Sequence, residues 1–166
     1  MVGKIVGFVG SLVLAGILIA TSVGLAQGAD PWIGTWKLNL AKSTFSPGPA
    51  PKSLTLTIEA AAAGAEKHTF DGVNAQGEPT HSERVGKLDG SDTPLLVARP
   101  PSNTASTAAY RKLDARSFEV VSKVDGKVVG TTRAVISADG KTMTQNGTGT
   151  NAQGQKANYV RVFDRQ

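Results

Sequence analysis

The sequence predicts an all-β domain behind an N-terminal signal helix, and three observations carry this reading. After Asp30, apolar residues alternate with polar ones along short runs, which is the period of a strand with one buried face. Turn dipeptides separate those runs at intervals of about a dozen residues. No long window repeats its apolar residues at helical spacing.

The runs can be read in chain order. Trp36, Leu38 and Leu40 alternate with Lys37 and Asn39, and Leu54, Leu56 and Ile58 with Thr55 and Thr57. Phe118, Val120 and Val124 share a face opposite Glu119 and Lys123, and Met143 stands between Thr142 and Thr144. Tyr159, Arg161 and Phe163 share a face, with Val160 and Val162 on the other. Asp89-Gly90, Asp125-Gly126 and Asp139-Gly140 read as hairpin turns, because both positions tolerate positive φ. Asn74-Ala75-Gln76-Gly77 and Asn151-Ala152-Gln153-Gly154 repeat one turn sequence. The approximate strands are 33–40, 53–60, 66–71, 80–88, 94–98, 105–113, 116–124, 127–137, 141–148 and 155–164. About eight to ten short strands at this spacing make a β-sandwich or an antiparallel barrel.

Two segments interrupt the rhythm. Residues 41–52 carry Pro47, Pro49 and Pro51 and read as an extended, non-helical connection. Residues 89–104, with Pro94, Pro100 and Pro101, read as a long loop holding one short edge strand. Ala60–Ala63 is taken as the end of a strand, stopped by Gly64.

The N-terminus reads as an address. Lys4 is the only charge before Asp30, and Ile5 to Ala29 is uncharged and ends in small residues. That is the layout of a secretory signal over residues 1–29, cleaved after Ala26 or Gly28. The alternative is an uncleaved anchor, since the run is long enough to span a bilayer. Either way the domain over 30–166 is delivered outside the cytoplasm, to the periplasm or medium, and membrane contact is confined to residues 1–29. There are no cysteines, which excludes disulfides, thiolate metal sites and cysteine nucleophiles. The net charge of +5 is spread along the chain and forms no basic face of the kind nucleic acid requires.

Gly34-Thr35-Trp36, on the first strand of the domain, resembles the opening motif of the calycin superfamily, which holds the lipocalins, fatty-acid-binding proteins and avidins. Gly34-Thr35-Trp36-Lys37-Leu38 looks like the opening strand of a fatty-acid-binding protein, and Arg161-Val162-Phe163-Asp164-Arg165 like its closing strand. The resemblance implies a single antiparallel up-and-down β-barrel, lipocalin-like, with first and last strands side by side. Trp36 would then plug the closed end, with an arginine of the last strand over its face. It implies a small apolar or amphipathic ligand held non-covalently, with Arg161, Phe163 and Tyr159 as ligand-binding residues and Gly34, Trp36 and Arg165 as barrel-closing ones. Two departures stand out: the proline-rich 41–52 segment replaces the two lid helices of fatty-acid-binding proteins, and Phe163 replaces their usual tyrosine.

Arg161 has two readings: an inward guanidinium pairing with a ligand carboxylate, or a structural role in which Arg161 or Arg165 packs on Trp36 and closes the barrel base. His68 and His81 are the only histidines, with Asp71, Glu78 and Glu83 near them in sequence; they match no metal motif and read as surface residues. No Gly-x-Ser-x-Gly elbow and no phosphate-binding glycine loop is present, and no cofactor is assigned. Asn146-Gly147-Thr148 matches a glycosylation sequon, relevant only in a eukaryotic secretory pathway. A cavity lined mainly by Val, Leu, Thr and Ala is expected. Three functions follow: a ligand carrier, a non-enzymatic envelope module whose barrel is filled by its own side chains, and an enzyme with an interior acid or base. A continuous cavity favours the first, a packed interior with an exposed apolar patch the second, and a buried carboxylate–histidine pair facing a pocket the third.

Overall fold

The computed structural model describes residues 30–99, 106–150 and 154–166. Residues 1–29, read from the sequence as a signal, and 151–153, within the expected turn, lie outside the described residues, as does 100–105. Twelve strands are described, in the order β1 (Gly34–Leu38), β2 (Thr44–Ser46), β3 (Ser53–Ala60), β4 (Glu66–Val73), β5 (Pro79–Gly86), β6 (Asp89–Pro94), β7 (Val97–Arg99), β8 (Ser106–Asp114), β9 (Ser117–Val124), β10 (Lys127–Ile136), β11 (Thr142–Thr150) and β12 (Lys156–Arg165). They form one antiparallel sheet in the order β6-β8-β9-β10-β11-β12-β1-β3-β4-β5-β7, with β2 paired to β12 off that path. Among the described residues, helical structure is limited to two short 3-10 turns, and no helix is long and apolar enough to cross a membrane.

The strand count exceeds the expected eight to ten because the proline-bearing segments contribute three short strands. Thr44–Ser46 precedes the first of the three prolines, keeps its backbone donors and pairs with Val160, Tyr159 and Asn158. The start of the same segment is not extended: Leu40–Lys42 is a 3-10 turn, capped by the Asn39 side chain accepting from the Lys42 N–H at 3.2 Å. The single strand expected at 94–98 is two, β6 and β7, split between Pro94 and Val97. Asp89-Gly90 is not a hairpin turn. Asp89 opens β6 and accepts from the backbone and hydroxyl of Ser91 at 2.9 and 2.6 Å, so its carboxylate organises an irregular strand start. The alanine run also differs: β3 ends at Ala60 and Ala62–Gly64 turns, closed by the Ala61 N–H donating to the Ala65 carbonyl at 2.8 Å.

One side of each main strand points inward, set by parity alone. Trp36 and Leu38, Leu56 and Ile58, Glu66 and His68, Ala108 and Tyr110, Ala134 and Ile136, and Met143 and Gln145 are buried. The threonines between them face outward, so the interior is less threonine-rich than expected; of the residues that line the space inside the sheet around Tyr110 and Arg161, only Thr132 is a threonine. The core holds Trp32, Trp36, Phe118, Phe163, Leu56, Ile58 and Met143 with essentially no exposure.

The first and last strands lie side by side, with Trp36 opposite Arg165 and Leu38 opposite Phe163. The two ends of the curled sheet meet through the β6–β7 connection. Leu96 donates its N–H to the Glu83 carbonyl on β5 at 2.9 Å, and Leu95 donates to the Ser106 carbonyl on β8 at 3.1 Å. Arg84 of β5 reinforces this seam, donating to the Thr93 carbonyl and the Ser106 hydroxyl at 3.2 Å each.

Candidate functional site

The inward residues leave a cavity of about 300 Å³ above the core. Leu56, Phe70, Ala108, Phe118 and Val120 supply its apolar wall, and His68, Ser82, Arg84, Tyr110, Ser122, Thr132, Gln145, Tyr159 and Arg161 its polar groups. This lining is richer in aromatic and charged side chains than the expected Val, Leu, Thr and Ala surface. A recess of about 200 Å³ shares Ser122, Thr132 and Tyr159 with it and continues to Gly130, Gly149 and Ala157.

Tyr159, Arg161 and Phe163 occupy successive inward positions of β12 but have different surroundings. Tyr159 and Arg161 line the cavity. The Arg161 guanidinium lies 3.9 Å from the centroid of the Tyr159 ring, and the Tyr159 hydroxyl is 2.5 Å from that of Thr132. Among the described residues no carboxylate pairs with Arg161, and removal from water lowers its pKa. Phe163 is fully buried in the core, outside the cavity lining.

The closed end is organised by Gly34, Trp36 and Arg165. The Arg165 guanidinium sits 4.3 Å from the Trp36 ring centroid; its Nε donates to the Gly140 carbonyl at 2.9 Å, Nη1 to the Ile33 carbonyl at 3.0 Å and Nη2 to the Pro31 carbonyl. Trp36 Nε1 donates to the Trp32 carbonyl at 3.0 Å. Gly34 has φ +140°, and a Cβ there would stand 3.0 Å from Arg165 Nη1, so both backbone and space call for glycine. Of the two arginines on the last strand, it is Arg165 that packs on Trp36, while Arg161 faces the cavity.

The two histidines lie on opposite faces of the sheet. His81 faces outward, bonded to Asp71 at 2.7 Å with Glu83 at 3.5 Å. His68 is not a surface residue: it is 3% exposed, and its Nε2 is 2.9 Å from Glu66 Oε2. The reason is parity, since His68 shares its face of β4 with Glu66 and Phe70. Among the described residues no group of three or more metal-ligating side chains gathers.

Sequence reasoning missed Glu66, Arg84, Tyr110 and Gln145. The signal was present in the alternation of Glu66, His68 and Phe70, and of Ala108 with Tyr110, but their polar members mask the apolar pattern. Tyr110 is buried against His68, with ring centroids 4.7 Å apart, and desolvation pushes its pKa up to about 12. Arg84 lies within electrostatic range of Tyr110, and desolvation lowers its pKa.

No protein-family model and no curated protein matches the chain. Solved structures do. A crystal structure of an asparagine-to-alanine mutant of the fluorescent protein UnaG aligns with a TM-score of 0.51 and 17% identity, over 82% of this chain and 96% of that one. Wild-type UnaG aligns with a TM-score of 0.50 and 18% identity, over 81% and 97%. At such identities the likeness is one of fold, and it agrees with the paired end strands and the cavity: this chain has a calycin-like fold.

Proposed function

We propose that this protein is exported and binds a small apolar or amphipathic molecule non-covalently inside its curled sheet. The observation that carries the reading is the cavity of about 300 Å³ into which Arg161 presents a guanidinium with no carboxylate partner among the described residues. A desolvated cation gains most from an anion that enters with the ligand, and an acidic head group supplies it with bidentate geometry. The apolar body of the ligand lies against Leu56, Phe70, Phe118 and Val120. An open cavity favours this reading over a barrel filled by its own side chains. Lys4 and the uncharged run behind it support export.

Native mass spectrometry of the protein recovered from its own host tests both parts. A reproducible extra mass that disappears on denaturation and falls in Arg161→Ala supports the carrier; a clean apo mass favours the envelope module. A polypeptide mass beginning just after Ala26 or Gly28 supports export with cleavage, whereas a full-length cytosolic protein overturns it.

One observation favours a second reading, an enzyme with an interior acid–base pair. His68 lines the cavity and its Nε2 is held by Glu66, the way an orienting carboxylate sets the tautomer of a general base. Turnover of activated esters that is lost in His68→Gln, with folding retained, supports it; equal rates in both proteins overturn it.

A further inference from the structure

Arg84 is a second cavity guanidinium without a carboxylate among the described residues. Its three bonds go to neutral acceptors: Nη1 to the Thr93 and Ser106 carbonyls, at 3.2 and 3.5 Å, and Nη2 to the Ser106 hydroxyl at 3.2 Å. A guanidinium carries five N–H donors, so Nε–H and one Nη2–H remain. Tyr110 stands on the same wall, on β8 across the seam. Its ring is buried, it lines the cavity, and its hydroxyl bonds to no described residue. Burial keeps that phenol protonated, hence a donor, well above neutral pH. Glu66, the acid whose charge reaches Tyr110, is already bonded to His68.

Arg161 belongs to a different wall. In the sheet order, β12 and β5 are separated by β1, β3 and β4, four strand spacings or roughly 19 Å along the sheet before it curls. The cavity therefore has two donor poles, with Leu56, Phe70 and the Glu66-bonded His68 on the strands between them, in a volume at the small end for ligand sites.

We infer that the ligand is a compact amphipathic dianion, such as a dicarboxylate, with one acidic group on Arg161 and the other on Arg84 and Tyr110. The inference rests on the ligand-binding reading above and names the class of molecule. A monoacid engages one pole and leaves the free donors of the other without an anionic partner, which selects against it.

Isothermal titration at neutral pH tests this, with protein stripped of resident ligand and with octanoate, octanedioate, decanoate and decanedioate as probes. The expected result is that each diacid binds at least about tenfold tighter than the monoacid of equal length, the effect of one added charge-assisted contact. Arg84→Gln removes that preference by weakening the diacid more than the monoacid, while Arg161→Gln weakens both. Because Arg84 also braces the seam, Tyr110→Phe provides a variant that keeps the seam bonds, and it lowers diacid affinity more than monoacid affinity. Equal affinity for diacid and monoacid, or a diacid preference that survives both Arg84→Gln and Tyr110→Phe, overturns the inference and leaves the carrier intact. Binding of no acid at all also overturns it; joined to a clean apo mass in the native experiment, it removes the carrier reading as well.

Discussion

Gly147 and Tyr159 are register partners across β11 and β12, and the glycine is what allows the phenol ring to lie over its backbone. A methyl group at Gly147 would overlap the ring carbons and hydroxyl of Tyr159. The ring in turn stacks under Arg161 and bonds to Thr132, so the missing side chain of Gly147 positions the polar wall of the cavity. Gly147→Ala is expected to destabilise the protein by about 1–3 kcal/mol through overpacking and to weaken binding at Arg161. Urea unfolding together with acid titration checks this; a variant with unchanged midpoint and affinity would mean that the ring has room to move.

Trp36 is fully buried at the closed end, with its Nε1 bonded to Trp32 and its face under Arg165. Trp36→Ala is expected to cost roughly 3–5 kcal/mol, the range for a large aromatic deleted from a packed core. Arg165→Met keeps part of the stem but orphans the Pro31, Ile33 and Gly140 carbonyls, and is expected to cost about 1–3 kcal/mol. Denaturant titration of both variants measures this, and little loss in either would remove the closed end from the core.

Tyr110 sets an alkaline limit on stability. Its folded pKa is pushed up to about 12, chiefly by desolvation, whereas an unfolded tyrosine ionises near about 10. Between these values the unfolded chain has already lost the proton that the folded state retains, so stability falls as pH rises through that window, by roughly 2–3 kcal/mol in all. There are two tyrosines, so tyrosinate absorbance in Tyr159→Phe reports Tyr110 alone. Ionisation near pH 10 in the folded protein would contradict the burial of its hydroxyl.

Asp164 acts at the acid end. Its pKa is lowered, first by the hydrogen bond from Asn39 Nδ2 at 2.7 Å and then by Lys42. A depressed folded pKa contributes stability that is present above the unfolded value of about 3.9 and is lost as pH falls through the folded value. Asp139 and Asp114 share this behaviour through bonds from Ser137 and Ser117. Urea midpoints measured from about pH 5 downward should fall, and fall less steeply in Asp164→Asn. Identical slopes would show the Asn39 bond to be broken in solution.

Alternation made the long strands legible, because a pleated strand with one buried face writes its period into the residues that carry it. That is why β3, β9, β10, β11 and β12 lie where the sequence places them, and why the end motifs around Trp36 and Arg161 point to paired end strands. The short strands were legible only in part. One edge strand was read at 94–98, where the chain forms β6 and β7, whereas Thr44–Ser46 and the start of β6 exist because neighbouring strands offer free backbone groups.

The same division runs through the candidate site. Arg161 and Tyr159 were legible from a shared face on one strand. Which of Arg161 and Arg165 meets Trp36, and whether Phe163 reaches the cavity, depend on height along the curled sheet, which parity does not encode. Arg84 and His68 are register partners on the neighbouring β4 and β5, but Tyr110 comes from β8 at the far end of the sheet order and meets them only because the sheet closes at the β6–β7 connection. Local sequence determined which side chains face inward; tertiary curvature decided which of them face one another, because that distance is set by the closure of the whole sheet.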